Sequence, residues 1–229
     1  MPAAPLNIIY EDNHLLAVNK PPGMPTMGVS EHEASLVRRA KQYIKRRFHK
    51  PGNVYLGIMS RLDAGTSGVV VFARTSKAAA RLTEQFRNRK VQKTYWAIVA
   101  GVPSPAAAEL LDWVRKDESL QRMTIVAGDA PGAQEARLRY RTVRSVGGGT
   151  LLEVELLTGR KHQIRLQLAS RGWPVWGEAK YAAAPVFPAG LALHARRLVI
   201  EHPVRREPLE LLAPLPRAWR ELGIGDEQG

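Results

Sequence analysis

Apolar residues recur along this chain in two rhythms, which predict both strands and helices. Short apolar runs at Ile8–Tyr10 and Leu15–Asn19 flank a polar turn and predict a hairpin. The uninterrupted run Val69–Ala73 predicts a strand that is buried on both faces. Further strands are predicted at Lys93–Gly101, Arg137–Val146, Thr150–Leu157, Leu193–Ile200 and Leu209–Leu212.

Two segments, Ser35–Phe48 and Ser76–Asn88, carry apolar residues at helical spacing instead. In the first segment Leu36, Ala40 and Ile44 fall on one face, and Ser35 can cap the helix. The pattern predicts two amphipathic helices, each with one face turned to a core.

Three stretches are harder to assign. The residues from Pro103 to Pro131 are mixed in charge and predict irregular structure with short strands. After His162, the apolar positions fit a strand and a helix equally well. From Leu222 onward the chain is polar, which predicts a flexible tail.

The formal net charge of +13 at pH 7 changes the expectation about partners. Such an excess favours nucleic acid, and less strongly an anionic membrane surface. No acidic residue occurs from Ala34 through Leu62, so cations in the first helix repel one another unless an anion is bound. Candidate contacts to an RNA backbone are Arg38, Arg39 and Lys45.

Several kinds of chemistry are excluded by composition and spacing. The chain has no cysteine, which excludes disulfides, zinc knuckles and thiol nucleophiles. The six histidines have no metal-ligand spacing, and no phosphate-binding glycine loop is present. No apolar run is long enough to span a membrane. We therefore expect a cytoplasmic protein whose catalysis, if it has any, uses few residues and no obvious metal.

One acidic residue, Asp63, lies alone within this basic stretch, in the segment Ser60–Gly68. The Ala-Gly-Thr-Ser-Gly that follows it predicts a tight turn leading into a core strand. An aspartate before such a turn commonly serves the turn itself, and from this segment alone that role is favoured. The alternative is an ionised carboxylate held rigidly for chemistry.

Other polar positions also allow two interpretations. Tyr95 is either a half-buried strand aromatic or a group facing a substrate. Arg160, Lys161 and Arg165 fit a phosphate-binding patch without chemistry as well as a catalytic cluster. Lys20 ends an apolar strand, so it is either a solvated loop lysine or a phosphate contact.

Four blocks in order resemble the RluA-type pseudouridine synthases, which isomerise uridine in RNA. The second block, Arg61–Gly68, is similar to the signature of that family, and the third is Thr158–Arg165. The first is Leu15–Gly23, and the last combines Leu193–Leu198 with His202-Pro203 and Ala213–Pro216. The resemblance spans roughly residues 6 to 216.

The resemblance implies roles for individual residues. Asp63 would be the catalytic aspartate, paired with Arg165. Tyr95 would lie over the base and act as a candidate general base. Arg61 would occupy the space left by the flipped base, and Ile164 would wall the pocket. The remaining substrate-binding candidates are Lys20, Arg160, Lys161 and His162.

The resemblance also implies the architecture and the partners. We expect one α+β catalytic domain over residues 6–216, with a mixed, largely antiparallel sheet flanked by helices and a central cleft. Residues 1–5 and 222–229 are expected to be flexible, and an N-terminal S4 domain is expected to be absent. The stretch after His162 should be helical. The expected partner is a stem-loop of ribosomal or transfer RNA, bound by a monomer without a membrane or a metal. No cofactor is expected, because the product of the family's reaction is an isomer of the substrate.

This sequence departs from the family pattern at three positions: Ser60 replaces a common His, Glu178 a common Asp, and Ala182 a Gly. The carbon that Asp63 attacks stays open between ribose and uracil, and a glycal route with Tyr95 or Asp63 as base is a third alternative. A non-catalytic RNA-binding or ribosome-assembly protein is the rival function, and an anionic-membrane binder is a distant third.

Overall fold

The computed structural model describes residues 5–28 and 34–226, which divide into two units. Unit 1 comprises residues 1–91 and 195–216, and unit 2 comprises residues 92–194 and 217–229. In chain order the elements are β1 (Ile8–Glu11), β2 (Leu15–Lys20), α1 (Leu36–Arg47), β3 (Gly57–Ile58), β4 (Ser67–Ala73), α2 (Ser76–Arg87), β5 (Gln92–Ala100), β6 (Ala107–Asp117), β7 (Arg122–Val126), β8 (Gln134–Val146), β9 (Gly149–Leu156), α3 (Gln163–Ala169), β10 (Leu193–Glu201), β11 (Pro208–Leu212) and α4 (Arg217–Arg220).

Unit 1 is a sheet with a helix on each face. Strand β2 pairs antiparallel with β1 and β4, β4 lies next to β10, and β10 pairs antiparallel with β11. Val69 and Val71 of β4 belong to the apolar cluster that includes α2. Val70 and Phe72 belong to the cluster that includes α1. Because both faces are covered, every residue of β4 is buried, as its continuous apolar run predicted.

Helix α1 confirms the first helical prediction. The Ser35 hydroxyl accepts a hydrogen bond from the Arg38 backbone N–H at 3.4 Å and caps the helix. Leu36, Ala40 and Ile44 are buried against the sheet. The opposite face is cationic and exposed, and carries Arg38, Lys41 and Lys45.

Unit 2 is an antiparallel sheet in the strand order β5-β9-β8-β6-β7. Strands β5, β8 and β9 match the predicted strands. The prediction for Pro103–Pro131 was wrong in part, because β6 alone is 11 residues long. On β6, Leu110 and Val114 are buried while Leu111 and Trp113 are exposed on the other face. Apolar residues on both faces hid the two-residue period.

The stretch after His162 is helical, as the resemblance implied, and forms α3. The end of the chain differs from the prediction. Ile224 is fully buried, and the backbone N–H groups of Gly223 and Ile224 donate to Arg220 and Trp219 carbonyls. Residues 222–226 are therefore ordered, because one isoleucine anchors an otherwise polar segment. Residues 1–4 and 227–229, also predicted to be flexible, lie outside the described residues.

These elements give the expected α+β fold, with strands predominating over helices. The single domain over residues 6–216 and its central cleft stay predictions.

Candidate active site

In unit 1, Asp63 begins a tight turn that leads directly into β4. The Thr66 backbone N–H donates to the Asp63 carbonyl at 3.1 Å, which closes the turn. Gly68 has a φ of +114°, and a Cβ at this position would lie 2.3 Å from the Ala195 carbonyl oxygen of β10. Only glycine fits there, so the loop enters the sheet along one fixed path.

Two polar side chains bind the backbone in front of Asp63. The Thr26 hydroxyl donates to the Leu62 carbonyl at 2.9 Å and accepts from the Leu62 N–H at 3.1 Å. The Ser60 hydroxyl accepts from the Val71 N–H at 3.2 Å. Ser60 thus ties the loop to β4.

Lys20 binds the backbone on the other side of Asp63. Its side chain is fully buried, and its Nζ donates to the carbonyls of Pro21 at 2.9 Å, Met24 at 2.6 Å and Ala64 at 3.0 Å. An ammonium group has three donors, and all three are used. The ends of the Leu62-Asp63-Ala64 segment are therefore both held by buried polar groups.

This geometry corrects the prediction that Lys20 contacts a substrate phosphate. A phosphate cannot reach the ammonium group while the three carbonyl bonds are in place and the side chain is excluded from solvent. Burial lowers the pKa of Lys20 and the charge of Asp63 raises it. Burial is the larger effect, and the resulting pKa is about 8, below the usual 10.5. Lys20 is accordingly a buried cation that supports the Asp63 loop.

Exposure differs between the two neighbouring charged residues of this loop. Asp63 is half-buried, whereas Arg61 is exposed. A half-buried carboxylate on a rigid turn can meet a substrate, and an exposed arginine beside it can reach into a nucleic acid. The roles predicted for both residues are compatible with these positions.

In unit 2, the loop before α3 is organised by Gln163. The Gln163 Oε1 accepts from the Thr158 hydroxyl at 2.8 Å and from the Arg160 N–H at 3.0 Å, and its Nε2 donates to the Arg137 carbonyl at 3.0 Å. His162 precedes the helix with a φ of +55°. This buried glutamine fixes the direction in which α3 starts.

Arg165 is held on α3 by a carboxylate. Its Nε donates to Glu178 Oε2 at 2.6 Å and its Nη2 donates to Glu178 Oε1 at 2.9 Å. The Glu178 side chain is fully buried, and Oε1 also accepts from the backbone N–H groups of Ala179, Lys180 and Tyr181. The two-point contact fixes the plane of the guanidinium group.

Burial of Glu178 by itself raises the pKa of its carboxyl group, because a buried charge is poorly solvated. The hydrogen bonds and the charge of Arg165, with the N–H groups of Lys180 and Tyr181, outweigh burial and lower the pKa below its usual value. Glu178 is therefore ionised at neutral pH.

Tyr181 connects Arg165 to His162. The Arg165 guanidinium carbon lies 5.6 Å from the centre of the Tyr181 ring. The Tyr181 hydroxyl lies 2.6 Å from His162 Nδ1 and accepts from the Met123 N–H at 3.3 Å. Because the Met123 N–H can only donate, the hydroxyl proton is available to His162 Nδ1.

The other predicted residues of unit 2 are placed as follows. Tyr95 lies on β5, opposite Val154, and is half-buried. Ile164 is buried, and Lys161 is exposed. Arg160 donates from Nε to the Glu135 carbonyl at 2.8 Å. Each unit thus gathers part of the predicted site, and the pairing of Asp63 with Arg165 stays a prediction.

Sequence reasoning missed the supporting residues. Neither Thr26 nor Tyr181 was singled out from the sequence. Glu178 was noticed only as a departure from the family pattern. The spacing Glu178-x-x-Tyr181 was the available signal, since both side chains meet Arg165 in the structure.

Comparison with known proteins identifies this arrangement. The family profile described as RNA pseudouridylate synthase matches residues 14–170, which include Asp63, Tyr95 and Arg165. The chain belongs to the RluA-type RNA pseudouridine synthase family. The dual-specificity RNA pseudouridine synthase RluA of Escherichia coli is 33% identical over 219 residues, which cover 91% of this chain and 93% of that protein.

Other synthases are similarly close. The ribosomal large subunit pseudouridine synthase D of Zymomonas mobilis is 34% identical, over 93% of this chain and 70% of that protein. An uncharacterized RNA pseudouridine synthase of Synechocystis is 33% identical, over 95% of this chain and 68% of that protein. Among solved structures, human RNA pseudouridylate synthase domain containing 4 has a TM-score of 0.77 at 28% identity and covers 95% of this chain and 93% of its own.

Two features of the described residues concern metal ions and membranes. Within residues 5–28 and 34–226, no group of three or more His, Asp or Glu side chains could hold a metal ion. No helix in this part of the chain is both long and apolar enough to cross a membrane. The predicted monomer and the cytoplasmic location stay predictions.

Proposed function

We propose that this RNA pseudouridine synthase isomerises specific uridines in structured ribosomal or transfer RNA, with Asp63 as its catalytic aspartate. The observation that carries the proposal is that the backbone on both sides of Asp63 is fixed, at Leu62 by Thr26 and at Ala64 by Lys20. The names of the relatives support the substrate class, since they include a ribosomal large subunit synthase and a dual-specificity synthase.

The reaction conserves atoms and needs no redox partner. The bond between the ribose anomeric carbon and uracil nitrogen 1 breaks, the uracil turns, and carbon 5 bonds to the anomeric carbon. The proton on carbon 5 is lost to a base, and nitrogen 1 gains a proton. Tyr95 is our candidate for the base. Asp63 attacks ribose or uracil, or one of the two residues initiates a glycal route.

The target uridine must first leave the RNA stack, which costs a few kcal/mol. We assign Arg61 to the space that the flipped base vacates, because it is exposed two residues before Asp63. Ile164 would form a wall of the pocket. The exposed Arg38 and Lys45, with the half-buried Arg39, would neutralise backbone phosphates. Arg165, oriented by Glu178, is assigned to the Asp63 carboxylate.

The test is replacement of Asp63 by Asn, with tritium release from 5-tritiated uridine in RNA as the readout. We expect the rate to fall by at least about a hundredfold, because a positioned acid–base or nucleophilic group typically contributes that much or more. RNA affinity should change little. The matched control is Asp129→Asn, since Asp129 is an exposed loop aspartate of unit 2.

Unchanged turnover in Asp63→Asn would overturn the assignment. Absence of any pseudouridine in RNA treated with the wild-type protein would instead support the rival, a non-catalytic RNA-binding role. Mapping pseudouridine in total RNA with and without the protein identifies the target.

A further inference from the structure

A groove in unit 2 lies beside Tyr181 and has no part in the proposed chemistry. It has a volume of about 270 Å³ and lies between β7 and α3. Met123 and Ile125 of β7 form one wall, and Leu166 and Ala169 of α3 form the other. Tyr181 lies at the groove, and Arg122 lies at the start of β7.

The groove adjoins the group that the proposed mechanism uses. Tyr181 lines the groove, and the centre of its ring lies 5.6 Å from the guanidinium carbon of Arg165. Arg165 and Leu166 are consecutive on α3 and point about 100° apart, so Tyr181 is the side chain that connects Arg165 to the groove. An RNA strand that reaches Arg165 therefore passes close to the groove.

The chemistry of the lining suits a nucleobase. Apolar and thioether side chains form the walls, and an aromatic ring offers a surface for stacking. Arg122 supplies a cation at the rim for the adjoining phosphate. Two acidic residues lie nearby in the chain. Asp117 accepts from Ser119 and Leu120 and also interacts with the charge of Arg122, and Glu118 pairs with Lys116 at 2.6 Å.

We propose that this groove binds an unstacked nucleobase of the substrate RNA, next to the uridine that is modified. The proposal rests on the proposed function, because it assumes that RNA reaches Arg165. Charge favours this occupant over a peptide of mixed composition, since the chain carries a net charge of +13 and an arginine lines the rim. The groove would then help to select the RNA by the bases flanking the target.

The experiment is a double-mutant cycle between the groove and the RNA. The protein change is Ala169→Leu, which fills the groove from α3. The RNA change is an abasic site immediately before or after the single uridine in the loop of a short RNA stem-loop. The dissociation constant is measured for all four combinations by fluorescence anisotropy.

We expect the abasic site on one side of the uridine to weaken binding to the wild-type protein by about tenfold, the usual effect of one stacked base. Ala169→Leu should weaken binding of the intact RNA by a similar factor. The two changes together should be no worse than either alone, because both remove the same contact. Ala80→Leu, on the exposed part of α2, is the control and should change neither value.

Two further variants separate the contributions. Ser170→Leu fills the groove from the exposed end of α3 and repeats the test if Ala169→Leu lowers stability. Arg122→Gln should weaken intact and abasic RNA equally and reduce the salt dependence, because it removes a phosphate contact. Its control is Arg217→Gln, which removes a cation that is 91% exposed on α4.

The proposal is overturned if both filling variants bind intact RNA as tightly as the wild type. It is also overturned if the abasic penalty in Ala169→Leu equals that in the wild type. Tritium release from the same proteins keeps the two proposals apart. A protein that makes no pseudouridine but shows the coupling would contradict the proposed function alone.

Discussion

Replacing Lys20 with Met tests whether the hydrogen bonds that hold the Asp63 loop matter more for activity than for stability. The substitution keeps an apolar chain of similar length but removes the ammonium group. The carbonyls of Pro21, Met24 and Ala64 then lose their donor in a site without solvent. The Ala64 carbonyl matters most for activity, because Ala64 directly follows Asp63.

Two opposing energies set the change in stability. Each buried carbonyl left without a donor costs about 1–2 kcal/mol, or about 3–6 kcal/mol for the three. The pKa of Lys20 is lowered from 10.5 to about 8, so the buried charge destabilises the folded state by about 3 kcal/mol. The substitution removes this charge and therefore also removes that unfavourable contribution. The unfolding free energy should therefore fall by no more than about 3 kcal/mol.

Activity should respond more strongly than stability. Displacement of a catalytic group by about 1 Å can reduce the rate by about a hundredfold. Ala64, which directly follows Asp63, is held to Lys20 by one hydrogen bond, so its loss allows the Asp63 loop to shift. We therefore expect the turnover number of Lys20→Met to fall by about a hundredfold under conditions in which the protein is folded. Urea unfolding gives the stability, tritium release gives the turnover, and the exposed Lys77→Met is the control.

The pH dependence gives a second readout with a defined sign. The pKa of Lys20 in the folded protein, about 8, is below its value of 10.5 in the unfolded chain. Between these values the unfolded chain binds more protons, so the unfolding free energy rises with pH, by up to about 1.4 kcal/mol per pH unit. Activity should instead decline above pH 8, because a neutral amine has too few donors for three carbonyls.

Two results would refute this reasoning. One is a turnover of Lys20→Met within about twofold of the wild type. The other is a wild-type stability that rises with pH no more steeply than that of Lys20→Met between pH 8 and 10.5.

Three further predictions concern the contact between Glu178 and Arg165, the entry to β4 and the cationic face of α1. Glu178→Gln should lower the turnover number at least about tenfold with little change in RNA affinity, since Arg165 loses its charged partner. Glu178→Asp should keep most of the wild-type turnover, and equal turnover of the two variants would contradict the role of Glu178 in orienting Arg165. Gly68→Ala should lower the unfolding free energy by more than about 3 kcal/mol in urea unfolding, because its Cβ would meet the Ala195 carbonyl. Gly52→Ala is the control, since its Cβ would meet no atom within 4 Å, and equal effects of the two variants would rule out the steric argument. Neutralising three cations of α1 should flatten the log–log salt dependence of RNA binding by about 2, and an unchanged slope would place the RNA path elsewhere. The cations are Arg38, Arg39 and Lys45.

Most of the elements were predictable from local pattern. The continuous apolar run of β4 predicted a buried strand, and the helical spacing in α1 predicted an amphipathic helix. The structure confirms both. Strand β6 was missed because Leu111 and Trp113 place apolar residues on its exposed face. The order of residues 222–226 was missed because it depends on one buried side chain, Ile224.

The sequence by itself determined most of the α+β elements, the turn at Asp63, the cationic face of α1 and the resemblance to a synthase family. These features depend on residues that are close in the chain. Only the tertiary structure decided what Lys20 and Arg165 bind, because Ala64 and Glu178 lie far from them in sequence. A buried charge takes its role from whichever donors and acceptors the fold brings to it, and no local period records those partners.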